Sequence, residues 1–241
     1  MGGSKPERGS GTLRRLRLVA TEARDEEARQ RRVSPDPDAY DEIFSRIAAS
    51  VGEVQKRLAR ERKHGQAQWT VLAKHPQARR LVMIRNDRRL HNWGLYEILL
   101  ESSHGLAVHD ARAAAEMAEL ALALARCLDP KEHGEERTAD FQAGALAALA
   151  EAKRRLADRQ GAWEVYEAAR ECLENGTGDP LERAELEVLR ARLLRDFGPA
   201  EEADRSLRRA AQILRSIGDK RLVKDLLDEP APEAVHRRAR G

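Results

Sequence analysis

Ala150-Glu151-Ala152-Lys153-Arg154-Arg155-Leu156-Ala157-Asp158-Arg159-Gln160-Gly161-Ala162-Trp163-Glu164-Val165-Tyr166-Glu167-Ala168-Ala169-Arg170 carries the pattern that decides the fold. Ala150 is followed twelve residues on by Ala162, four further by Tyr166 and three further by Ala169. The same spacing recurs in Ser102, Ala114, Ala118, Ala121 and again in Ala191, Ala203, Leu207, Ala210. Steps of three and four keep side chains on one helix face. A small residue at the head of each set lets a second helix cross closely, where a bulky one would push the axes beyond the roughly 8–10 Å of tight packing. The set therefore reads as a helix pair. The first Ala of the second helix answers the small residue of the first, and the apolar residue and last Ala meet the next pair.

Outward from these sets, the breaks agree. Asp129-Pro130, Asn175-Gly176-Thr177-Gly178-Asp179-Pro180, Gly198-Pro199 and Gly218-Asp219 cut the chain beyond residue 90 into helical stretches joined by short turns. No alternating run of β-branched residues occurs, so the expected class is all-α. Upstream, Tyr40, Ile43, Phe44, Ile47, Val51, Val54 and Leu58 share one face of a long helix that Gly65 is expected to end. A short segment with Trp69, Leu72 and Ala73 follows. Pro76 then opens a further helix carrying Leu81, Val82 and Ile84. Before Val33-Ser34-Pro35-Asp36-Pro37, a polar helix with Leu13, Leu16, Val19 and Ala20 on its face is expected over residues 12–32. The Gly-, Ser- and charge-rich stretch 1–11 reads as a disordered tail and 229–241 as a flexible basic one. Between the tails lie an N-terminal helical segment with a basic block, 12–92, and the repeat region, 93–228.

Aromatics make up 4% of the 241 residues against 41% for all hydrophobic residues, so Ala, Leu and Val must fill the core. The charges are segregated: residues 52–92 carry a net +8 and residues 93–204 a net −11. That polarity predicts either a basic binding surface or two regions docked by complementary charge. No apolar run approaches the roughly 20 residues of a membrane span and residues 1–11 lack an apolar signal core, which predicts a cytoplasmic protein with no membrane partner. Cys127 and Cys172 stand alone within helical patterns and read as small core residues.

The repeated Ala spacing over residues 95–217 resembles the tetratricopeptide repeat family; the copies recur every 41 to 48 residues, which longer helices or turns would absorb. That resemblance implies a TPR-like α-solenoid of stacked antiparallel helix pairs with a groove for a protein ligand. It places the groove on the first helix of each pair, with Tyr96, Ser103, Glu151, Arg154, Arg192 and Arg195 facing it. Arginines there would suit an acidic peptide or a C-terminal carboxylate through forked hydrogen bonds. The stretch Met83-Ile84-Arg85-Asn86-Asp87-Arg88-Arg89-Leu90 leading into Trp93-Gly94-Leu95-Tyr96-Glu97-Ile98-Leu99-Leu100-Glu101 also resembles the lead-in of a group of bacterial repeat proteins. This implies regulatory or scaffold duty.

Catalytic signals are absent from the sequence. His64, His75, His91, His104, His109, His133 and His236 form no H-E-x-x-H and no pair four apart, so no metal site is expected. Gly176 and Gly178 form a lone G-x-G with no strand before it, which reads as a helix-ending turn. Neither G-x-S-x-G nor a phosphate-loop lysine is present, and no catalytic residue or cofactor is expected. The leading expectation is a non-enzymatic adaptor that binds another protein. One alternative is nucleic-acid binding through the basic block, with Arg79, Arg80, Arg85, Arg88 and Arg89 on the phosphates. The other is a structural subunit of a larger assembly.

Overall fold

The computed structural model describes residues 39–218; the helix expected at 12–32, both tails and positions 219–228 of the expected repeat region lie outside the described residues. The described chain folds into helices α1 (Ala39–Leu72), α2 (Gln77–Asn86), α3 (Trp93–Leu106), α4 (Ala111–Ala125), the single turn α5 (Pro130–His133), α6 (Glu135–Arg155), α7 (Arg159–Glu174), α8 (Pro180–Phe197) and α9 (Ala200–Ser216). No strand occurs among these residues, so the all-α class holds, and none of their helices is long and apolar enough to cross a membrane.

Short polar side chains set the helix starts. The carboxylates of Asp110 and Asp158 accept hydrogen bonds from the N–H groups of Ala113 and Gly161, capping α4 and α7. Asp129 and Asp179 cap α5 and α8, each followed by a proline whose missing N–H costs nothing in a first turn. In the hairpins α3–α4, α6–α7 and α8–α9 the second helix starts at Asp110, Asp158 or Pro199. Ala114, Ala162 and Ala203 each stand four residues past that start. The turn therefore fixes which face of the second helix carries the small residue.

That face is the contact. Ala114, Ala118, Ala121, Ala150, Ala162, Ala169, Ala191, Ala203 and Ala210 have no exposed surface, and Tyr166 is also buried. Leu207 is only partly covered. In the first set the small residue at the crossing is Ser103 and not the expected Ser102. Ser103 is buried and its hydroxyl donates to the Ala114 carbonyl at 2.9 Å, whereas Ser102 bonds back to Ile98 of its own helix at 2.7 Å.

The hairpins pack in sequence, with α4 on α6 and with the first helices α3, α6 and α8 touching in turn, while α1 covers the free side of α3 and α2 lies on α4. Gly65 does not end α1. The helix runs on to Leu72, because Gly65 is where its backbone meets Gly94 and Leu95 of α3. The segment with Trp69 and Leu72 is thus the last part of α1, with Leu72 fully buried. One core extends from Val54 to Leu193, and truncating a residue as enclosed as Leu193 would cost about 3 kcal/mol. The last hairpin keeps two small cores of its own, Leu181, Ala184, Ala210 and Leu214 in one and Ala191, Leu194 and Ala203 in the other. It meets α7 over a much smaller contact than α6 makes with α4. One face of α9, with Glu201, Asp204, Arg205, Arg208, Gln212 and Arg215, is exposed among the described residues.

Candidate functional site

The residues expected to line a first-helix groove mostly hold the hairpins together. Tyr96 is buried, its hydroxyl donates to the Phe141 carbonyl at 2.7 Å, and its ring packs on Phe141 at 5.1 Å. Ser103 is buried against α4. Neither side chain faces an open groove, for separate reasons: Tyr96 is covered by α6 through Phe141, and Ser103 by α4, the second helix of its own hairpin. Arg154 donates through Nε and Nη2 to the two oxygens of Glu151, both at 2.8 Å, and through Nη1 to Asp196 of α8. Burial would raise the Glu151 pKa, but the hydrogen bonds and charge of Arg154, with the charges of Arg192 and Arg155, outweigh it and hold the carboxylate below its usual range. Glu151 and Arg154 therefore lock α6 to α8 and offer no forked donor to a partner. Arg192 lies within reach of this cluster, and Arg195 is exposed on α8. A similar lock joins α1 to α3, where Arg62 donates to Glu97 at 2.8 Å and to Glu101 at 2.9 Å.

An open cavity of about 400 Å³ lies instead where the last hairpin stands off α7. Tyr166 and Leu173 of α7, Leu186 of α8 and Ile213 of α9 give it an apolar lining. Arg170, Glu174, Arg183 and Glu187 supply charge around them. Glu187 is paired loosely, with Oε1 3.6 Å from Arg209, while its Oε2 is buried and receives no hydrogen bond. Burial and the Glu187 charge push the Tyr166 phenol up to about 12, so it stays neutral and donor-competent. Trp163 braces Tyr166 edge-on, the ring centroids 5.5 Å apart.

The loop after α7 closes one side of the cavity through Gly178, whose φ of +73° suits glycine. Asp140 of α6 holds that loop. Its carboxylate accepts from the Thr177 hydroxyl at 2.6 Å and from the Thr177 N–H at 3.2 Å, and a Cβ on Gly176 would strike it. Burial, with the nearby charges of Glu182 and Asp179, outweighs these hydrogen bonds and raises the Asp140 pKa to about 6. The sequence marked this loop only as a helix-ending turn. The Asp140–Thr177 pairing spans 37 residues and leaves no local signal.

The basic residues divide. Arg80 stacks over Trp69, 5.4 Å from its ring, and donates to the carbonyls of Leu72 and Ala73, which makes it part of the α1–α2 corner. Arg89 is clamped to Asp87 by paired hydrogen bonds of 2.9 and 2.8 Å. Arg79, Arg85 and Arg88 are exposed. Cys127 and Cys172 are half-buried and unbonded, and burial raises both thiol pKa values, which makes them poor nucleophiles. Among the described residues no three His, Cys, Asp or Glu come together at metal-binding range. No protein-family model matches the chain, and no curated protein or solved structure matches it.

Proposed function

We propose that the chain is a non-enzymatic, TPR-like scaffold that seats a segment of another protein in the cavity between α7 and the α8–α9 hairpin. The observation that carries this reading is the cavity itself. It sets the apolar side chains of Tyr166, Leu173, Leu186 and Ile213 beside the carboxylate residues Glu174 and Glu187. The fitting partner presents one or two apolar side chains beside an Arg, Lys or amide donor. This departs from the acidic or C-terminal peptide implied by the family resemblance, because Arg154 is already spent on Glu151 and Asp196. The reading assigns no catalytic residue.

The test is selection of peptides from a random display library on the full chain, with Ile213→Asp and Arg183→Glu as comparison baits. Enriched peptides sharing an apolar anchor next to a basic or amide residue, and lost on Ile213→Asp while circular dichroism is unchanged, would support the reading. Peptides of no common pattern, or retention by both variants, would refute it.

A further inference from the structure

One face of α1 is exposed among the described residues and carries a row of cations. Lys56, Arg60, Lys63, Ala67, Thr70, Val71 and Lys74 follow at helical steps onto a single face that the turn after Leu72 continues, and every one of them is exposed. Lys56 makes a surface pair with Glu53 at 2.8 Å, both side chains mostly in water, which binds it only weakly. Arg60 bonds through Nε to the Lys56 carbonyl and feels the Glu53 charge only at longer range, and no carboxylate forms a salt bridge with Arg60, Lys63 or Lys74 among the described residues. The block was also expected to dock on the acidic repeats. Arg62 does cross to Glu97 and Glu101, but from a flank of the helix that leaves this row outward. Exposed Arg79, Arg85 and Arg88 add to the positive field.

We propose that this face of α1 binds the phosphate backbone of duplex nucleic acid without reading bases. The helical part of the row, from Lys56 to Val71, spans about 22 Å at 1.5 Å per residue, the length of about six to seven base pairs. Between the cations stand Ala67 and Thr70, small enough for a backbone to approach. A protein partner of opposite charge is the poorer fit. Protein interface cores are rich in aromatic residues and Met and poor in Lys, and this row has no aromatic and only Val71 as an exposed large apolar side chain.

The experiment is fluorescence anisotropy of labelled 20-base-pair DNA and RNA duplexes of random sequence with the full chain across a salt series. Two triple variants remove equal charge: Arg60→Gln, Lys63→Gln, Lys74→Gln on this face, and Arg112→Gln, Arg126→Gln, Arg159→Gln at exposed positions elsewhere. Both duplexes should bind, with the logarithm of the binding constant falling linearly with that of salt. The α1 triple should weaken binding by about tenfold or more and flatten the salt slope by about 2 to 3 units, since each phosphate contact contributes about 0.9. The other triple should change little. Equal losses in both triples would overturn the proposal by assigning binding to overall charge, as would no binding at low salt. Binding of polyglutamate as tight as that of the duplexes would overturn it in favour of an acidic protein.

Discussion

Gly65 of α1 and Gly94 of α3 lie backbone to backbone, so that a Cβ on either would fall on the main chain of the other helix: on Leu95 and Gly94 from one side, on Glu61 and Arg62 from the other. Gly65 lies inside α1 and Gly94 in the first turn of α3, and packed main chain there cannot step aside. Gly94→Ala should therefore destabilise by about 2 kcal/mol even after the gain of about 1 kcal/mol in helix propensity. Gly105→Ala, on the same helix with nothing within 4 Å of the new Cβ, should instead stabilise by about 0.5–1 kcal/mol. Urea denaturation of the two variants checks the pair; a stabilised Gly94→Ala would mean that α1 does not cross α3 here.

The same contact shows what a sequence can and cannot carry. The alanines at Ala114, Ala162 and Ala203 were legible because each lies at a set distance from a turn, and a small residue in a helix has few other reasons to recur. Gly65 looked like a break because glycine is poor in a helix, and only a partner 29 positions away reverses that meaning. The resemblance placed Tyr96 and Ser103 on a groove, whereas here Tyr96 packs under Phe141 of α6 and Ser103 under Ala114 of α4, contacts that spacing along α3 does not reveal. The cavity was not legible at all. It is the space left by a loop pinned through Asp140 and Thr177, and distance between elements is not written in either element.

Ala157 ends α6 with φ at +59°, the only non-glycine residue with positive φ among those described. Its N–H bonds to the Arg154 carbonyl and that of Asp158 to Lys153, both at 3.0 Å, the closing pattern in which glycine normally stands at this place. Ala157→Gly should raise stability by about 0.5–1 kcal/mol, less the entropy glycine adds to the unfolded chain. Thermal denaturation reads it, and a lower Tm would count against the left-handed turn.

Arg154 ties Glu151 to Asp196 with only 9% of its side chain exposed, next to a Glu151 side chain at 12%. Arg154→Met leaves the Glu151 carboxylate with only the charges of Arg155 and Arg192 beside it and should cost about 2 kcal/mol. Adding Glu151→Gln should restore part of that loss, a coupling measurable by a double-mutant cycle. Strict additivity would show that Glu151 and Arg154 do not form a buried pair on α6.

Asp140 predicts a pH dependence of defined sign. Its pKa is raised in the folded protein to about 6 from the ordinary 3.8, so the folded state binds the proton more tightly than the unfolded chain. This contribution to stability is complete below the ordinary value and is lost as pH rises through about 6. The Tm difference between wild type and Asp140→Asn should therefore fall from pH 4 to pH 7. A difference constant over that range would remove the buried carboxylate from the account.

The cavity beside Tyr166 is the proposed seat of a partner segment. Hydrogen exchange of the full chain, with and without a selected peptide, tests it most directly. Protection confined to the end of α7, the loop around Gly178, the start of α8 and the turn of α9 at Ile213 is the predicted result. Protection spread along α3 and α6, or none in the last hairpin, would contradict it.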